Sequence, residues 1–315
     1  MDIRKLSEDI LTWQAPVLSA EIPHGDMPGD SVQIGEGHIQ KANTLFPALV
    51  KELLPVMQQN PYQRAVICVC GGSGVGKSEI ASVLSEYLRQ VGVGCYTLSG
   101  DNYPHRIPMY NDAERVRVFR CGGIAEMVRQ GYVGETYFKP LMDMQNADVD
   151  PDPAQAADKP WLAAYQAGGR AALTDYLGTP NEQGFDHLSD IIAQFKAGAQ
   201  TLALKRMGRD AAALWYDPID FSNINVLVIE WTHGNSDFLK GVDVPIFLHS
   251  TPEETLAHRR ARARDGAVDS AFTTMVLEIE QNKLLQQAHK AKLIIDRGGK
   301  LLSYAEYAEI MKGRI

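Results

Sequence analysis

Apolar positions along this chain fall into two patterns, short unbroken runs and stripes at helical spacing. The runs at residues 65–70 (AVICVC), 95–98, 225–230 (NVLVIE) and 244–249 (VPIFLH) lack polar alternation, as expected of parallel strands buried on both faces. Between the first two, Ile80, Val83, Leu84, Tyr87 and Leu88 recur at helical spacing, predicting a helix over 77–91 that Gly92 and Gly94 close. The same spacing predicts helices over 38–58, stopped by Pro61, and over 252–264 and 270–290, followed by a last strand at 292–295. Strand, loop, helix and strand at 65–98 make a βαβ unit, the start of a parallel sheet.

Outside these elements the pattern loosens. Residues 1–62 pass through a Gly/Pro-rich stretch at 23–37 and read as an N-terminal helical extension. After Asp101 the signal is irregular, with a Pro/Asp-rich segment at 148–160 and helical stretches near 161–177 and 187–196. We therefore expect an α/β fold of three layers (α/β/α) with a mainly parallel sheet. Its core is residues 63–120 and 223–315, and a helical cap is inserted at 121–222.

Composition narrows the function classes. With 315 residues, 45% hydrophobic and 22% charged, the chain can bury an ordinary core without disulfides. A formal net charge of −8 argues against a general nucleic-acid or membrane-surface binder, which needs a broad basic face. The four cysteines, Cys68, Cys70, Cys95 and Cys121, form no CxxC or zinc spacing. The N-terminus has no leader-like apolar stretch, and no run reaches the ~18 apolar residues of a membrane span. These features predict a cytoplasmic protein with no membrane partner.

Between the first strand and the first core helix the chain reads Gly71, Gly72, Ser73, Gly74, Val75, Gly76, Lys77, Ser78. This satisfies G-x-x-x-x-G-K-[ST] at each fixed position. The glycines let successive backbone N–H groups converge on phosphate oxygens, and the following helix adds the positive end of its dipole. Lys77 is placed to hold the outer phosphates and Ser78 to offer its hydroxyl to magnesium. The expected cofactors are ATP and Mg2+, although the motif does not separate ATP from GTP. Nor does it say whether the phosphate goes to water or to a substrate.

Two acids end strands facing the ligand crevice of such a sheet, Asp101 after the second strand and Glu230 at the close of NVLVIE. Transfer to a hydroxyl uses one carboxylate to activate the acceptor and a second to position magnesium, whereas loop acids can also be helix caps. Tyr103, His105 and Arg106 offer an aromatic face, an imidazole and a guanidinium to an acceptor. His233 is a second imidazole candidate, or simply a turn histidine. In HRRARARDG (258–266), Arg260 and Arg264 stand i, i+4 on one helix face. They would cover the charge of the transferring phosphoryl group, unless the face is merely solvated.

These residues resemble the P-loop kinase family that contains phosphoribulokinase, uridine kinase and bacterial pantothenate kinase, over about residues 65–120 and 225–295. Asp101, Asn102, Tyr103, His105 and Arg106 are similar to its Asp-x-aromatic acceptor motif, with Pro104 intervening. Ile229 to Gly234 (IEWTHG) resembles its strand ending in an acid before a Leu-His-Gly type turn, and RRARARD its arginine lid. The resemblance implies Asp101 as catalytic base, Glu230 as the second acid near magnesium, and Arg260 and Arg264 as lid contacts. LSGDNYPHRIP also resembles adenylylsulfate kinase, but Ser99 replaces the first acid of that motif, histidine and arginine are exchanged, and the cap has no counterpart.

The sequence thus predicts an ATP-dependent phosphotransferase acting on a hydroxyl of a small sugar, sugar phosphate or nucleoside, with adenylylsulfate kinase as an alternative. A nucleotide-dependent switch is the alternative of another class, and the grouping of Asp101, His105 and Arg106 beside the crevice stands against it. The stripe Val276, Ile279, Leu284 suits core packing or a homodimer contact equally.

Overall fold

The computed structural model describes residues 6–8, 10–19, 22, 24–208, 210, 213–251, 254–256 and 270–312. The chain runs α1 (Glu36–Gln59), β1 (Ala65–Gly71), α2 (Lys77–Gln90), β2 (Cys95–Ser99), α3 (Pro108–Arg129), α4 (Glu135–Asn146), α5 (Pro160–Tyr176) and α6 (Phe185–Lys196). It continues through β3 (Thr201–Met207), β4 (Leu214–Asp220), β5 (Val226–Glu230), β6 (Val244–Leu248), α7 (Ala271–Gln287), β7 (Leu293–Ile295), β8 (Leu301–Leu302) and α8 (Tyr304–Ile310). The main sheet has the order β2-β5-β1-β6-β7-β8, parallel except for the β7/β8 pair. This is the three-layer P-loop architecture expected.

Period-two geometry sends alternate residues of β1 to opposite faces. Ala65, Ile67 and Val69 pack with α1 and α2, while Val66 and Cys68 pack with α6. Helix α1 buries Ala42, Leu45, Phe46, Leu49, Val50, Leu53 and Met57, a stripe that leaves Pro47 and Pro55 outside it. The larger of these side chains contribute about 1.5–3 kcal/mol each by leaving water. The N-terminal helix is therefore a member of the outer layer beside α2. Arg64, just before β1, is buried and donates to the carbonyls of Phe195, Ala199 and Phe221, each at 2.7 Å, tying α6 to the root of the sheet.

The segment after Asp101 is more regular than its apolar pattern suggested. Helix α3 runs unbroken through the boundary expected after residue 120, and its buried positions include Asn111 and Gly123, which contribute no hydrophobic signal. A β3/β4 hairpin, also unanticipated, pairs antiparallel beside α6. Of the helix expected over 252–264, only residues 254–256 are described. Among the described residues no helix is long and apolar enough to cross a membrane.

The cap is joined by a reciprocal close approach of α3 and α5. A Cβ on Gly123 would stand 2.6 Å from Tyr165 Cε2 and 2.7 Å from the Tyr165 carbonyl oxygen, and one on Gly169 would stand 2.6 Å from the Phe119 ring and 2.8 Å from the Phe119 carbonyl. Each helix thus lays an aromatic ring on the other's glycine, and the two rings meet edge to face at 5.5 Å. The blocking atoms are backbone as well as ring, so the site cannot yield cheaply. Gly169→Val should cost about 1–3 kcal/mol or more by overpacking, read as a lower denaturation midpoint; an unchanged midpoint would show that the helices part freely.

Candidate active site

The loop from Gly71 to Ser78 leaves β1 at the topological switch between β5 and β6 and enters α2, where ligands bind in open α/β sheets. Gly76 caps α2 at φ +94°, a left-handed conformation in which a side chain is strained. Lys77 Nζ donates to the Gly72 carbonyl at 3.0 Å, so the ammonium lies across the loop it would serve. Ser78 Oγ donates to Glu230 Oε2 at 3.0 Å. Glu230 ends β5, level with Val69 of β1 and Ser99 of β2, and is 4% exposed. A hydroxyl and a carboxylate so placed are the hard oxygen ligands that magnesium takes beside substrate phosphates, so these residues fit the cation. Burial, with the charge of Asp101 beside it, pushes the Glu230 carboxyl up to about 8.

Asp101 occupies a one-turn 3-10 helix (Gly100–Asn102) directly after β2. It lines a cavity of about 580 Å³ that opens beside Ser73 of the loop. Asn111 and Arg115 of α3, His233 after β5 and Glu280 of α7 form further walls. Phosphate loop and acidic strand end therefore share one open-sided chamber.

The chamber is braced by an ion pair that joins distant parts of the chain. Arg115 Nε meets Glu182 Oε1 at 2.6 Å, and its guanidinium also reaches Glu280 at 3.5 Å. Glu182, fully buried, accepts from Asn111 Nδ2 at 3.1 Å and from the Gly178 backbone N–H at 2.7 Å. Burial would raise the Glu182 carboxyl, but Arg115 and these partners outweigh it and hold it at about 2. Glu280 has no such shell among the described residues, and burial pushes it up to about 7. Burial lowers His233 to about 4, so its imidazole is neutral at pH 7.

Of the residues singled out from sequence, Ser73, Asp101 and His233 line the cavity, and Lys77, Ser78 and Glu230 meet beside it. The structure does not bring Tyr103, His105 and Arg106 there. Tyr103 is 1% exposed with its ring edge on His187. His105 Nε2 donates to the Pro180 carbonyl at 2.8 Å. Arg106 donates to Tyr176 Oη at 3.1 Å and pairs with Glu114 at 3.4 Å. All three brace the turn against the cap and α3, because successive residues of a tight turn point in different directions. Arg260 and Arg264 lie outside the described residues. Arg115, Glu182 and Glu280 were not found from sequence, since no local motif marks partners 67 residues apart.

The carboxyl shifts have a measurable consequence. A carboxyl raised in the folded state holds a proton that the unfolded chain has released, so stability falls as pH rises between the two values. His233 acts oppositely, but only between about 4 and its ordinary 6.5. From pH 6.5 to 8 the carboxyls prevail, and the nucleotide-free protein should melt at progressively lower temperature. Glu230→Gln should flatten that slope; an unchanged slope would mean that Glu230 is ionised throughout.

Comparison with known proteins covers this same region. Residues 63–131 match the family described as adenylylsulphate kinase. A bifunctional alpha-galactosidase/sucrose kinase of Mediterraneibacter gnavus is 38% identical over 240 residues, 76% of this chain and 21% of the relative. An adenylyl-sulfate kinase of Escherichia coli is 37% identical over 86 residues, 26% of this chain and 43% of the relative. The chain thus spans about a fifth and under half of the lengths of these relatives. Phosphoribulokinase from Rhodobacter spheroides is 14% identical, over 75% of this chain and 70% of that one, at a TM-score of 0.46. By sequence, the chain is similar to P-loop kinases through its phosphate loop and, with the first of these relatives, over three quarters of its length.

Proposed function

We propose that the protein transfers the γ-phosphate of Mg-ATP to a hydroxyl of a neutral, polyhydroxylated small molecule, a mono- or disaccharide. The observation that carries this reading is the set of carboxyl groups that line the chamber beside Ser73 among the described residues. Asp30, Asp101, Asp112 and Glu280 line it against Arg115, and Arg115 is already paired with Glu182 and Glu280. Among the described residues, no uncommitted guanidinium lines the wall to take up a second anion. A phosphorylated or sulfated acceptor would meet repulsion there, while carboxylates are strong acceptors for sugar hydroxyls. Two further wall residues, Asn111 and Gln183, each keep an amide oxygen buried without a hydrogen-bond partner among the described residues. Glu182 holds the Asn111 amide by its nitrogen, which leaves the oxygen turned away. Unmet acceptors cost about 1–3 kcal/mol each, so this wall carries unpaired polarity just behind its surface.

When bound, Mg-ATP supplies the phosphoryl group, while the chain's residues orient and activate the acceptor. Asp101 would accept the acceptor hydroxyl's proton as its oxygen bonds to the γ-phosphorus and ADP leaves with the bridging oxygen. Lys77, now on the Gly72 carbonyl, would hold the outer phosphates, and Ser78 with Glu230 would offer oxygen ligands to the cation. Neutral His233 can take or give a hydrogen bond to the sugar. The similarity to a sucrose kinase directs the first choice of acceptors.

The test is ADP formation from Mg-ATP with sucrose, glucose, fructose, fructose 6-phosphate and adenylylsulfate in parallel. A neutral sugar should stimulate release and the anionic acceptors should not. Asp101→Asn should lower kcat about 10²–10⁴-fold, the span of general-base contributions, with the KM for ATP near that of the parent. Stimulation by an anionic acceptor would overturn the neutral-sugar reading, and release equal with every addition would favour a nucleotide switch.

A further inference from the structure

We propose that residues 25–38, ahead of the sheet, are a working wall of the active site, in which Asp30 binds an acceptor hydroxyl and His38 contacts the nucleotide phosphates. The proposal rests on the kinase reading above and assigns these roles to a segment outside the phosphate-loop motif.

The segment is pinned at its start. Gly25 is buried against the magnesium-side acid: a Cβ there would meet Glu230 Oε1 at 3.2 Å and Ser99 Cβ at 3.7 Å. Asp26 accepts from the Ser99 N–H at 2.8 Å, Asn102 Nδ2 at 3.0 Å and Tyr96 Oη at 2.9 Å, and pairs with Arg206 at 2.9 Å. Four partners on one carboxylate, drawn from β2, the turn that carries Asp101 and the β3/β4 hairpin, fix the segment to the strand end where chemistry is expected. Detaching it would leave those donors buried and unmet.

From that anchor the segment crosses the chamber. Met27 and Asp30 both line the cavity that Asp101 and Ser73 line, so Asp30 is a wall residue within reach of whatever occupies it. The segment then enters α1, whose first turn carries His38. The Gly35 N–H donates to His38 Nδ1 at 3.1 Å, which makes Nδ1 the acceptor and leaves the ring proton on Nε2. That edge of the ring faces the phosphate loop: Nε2 and Cδ2 stand 2.9 Å from where a Cβ on Gly76 would be. The imidazole therefore stands against Gly76, the residue before Lys77. One continuous segment touches the cation-side acid, the acceptor chamber and the phosphate loop, whereas a packing strap would need only the Asp26 anchor.

The roles separate in kinetics. In the full chain, His38→Ala should raise the KM for ATP about tenfold or more, the loss of one hydrogen bond to a charged group, and leave the KM for sugar unchanged. His38→Gln, whose amide nitrogen falls near the place of Nε2, should recover most of that loss. Asp30→Ala should do the reverse, raising the KM for sugar about tenfold and sparing ATP. Melting curves establish that each variant is folded. Variants that are folded but shift both constants together, or neither, overturn the proposal and leave the segment a structural strap. If the parent transfers phosphate to no sugar, the kinase reading fails instead. Equilibrium titration of Mg-ATP into the parent and His38→Ala then decides the phosphate contact, equal affinities refuting it.

Discussion

Arg115 reaches from α3 to Glu182 at 2.6 Å, and that pair ties a wall of the chamber to the turn between α5 and α6. Glu182 sits between α5 and α6, where it also gathers the Gly178 N–H and Asn111, so cap loop and α3 close on one buried carboxylate. The geometry matters more than the Coulomb attraction, since desolvating two charges offsets much of what their pairing returns. Removing one partner would strand the other, at about 3–5 kcal/mol. The pair also spends the guanidinium that an anionic acceptor would otherwise find, so a structural brace helps to set the electrostatic character of the site.

Around that brace the acids divide by environment. Glu182 is ionised because its partners outnumber the cost of its burial, while Glu230 and Glu280, buried with less support, are raised to about 8 and about 7. Glu230 is thus held ready for a cation in place of a proton, with Ser78 already at hydrogen-bond distance. The same residue type does different work at three positions, and the difference is made by what stands within a few ångströms.

The core follows from local rules. The apolar runs became strands because they have strand propensity and flanking turns, and the loop from Gly71 to Ser78 was readable because its function depends on consecutive backbone amides. Helix α1 was legible at residues 38–58 and observed at Glu36–Gln59, since its buried stripe has the helical period despite two prolines. The cap was obscured because α3 and α5 pack through glycines rather than large apolar side chains, and a glycine adds nothing to a hydrophobic pattern. Tyr103, His105 and Arg106 misled through proximity: they neighbour Asp101 in sequence, but the turn aims them at α6, the cap and α3.

By itself, then, the sequence determined the parallel sheet, the phosphate loop and the two strand-end acids, each specified by neighbours along the chain. Tertiary structure alone decided that Arg115 would be spent on Glu182, that Asp30 and His38 would stand beside the site from ahead of the sheet, and that, among the described residues, four acids would line the chamber. Those outcomes depend on which distant side chains share a low-dielectric space, and spacing along a sequence does not encode distance across a fold.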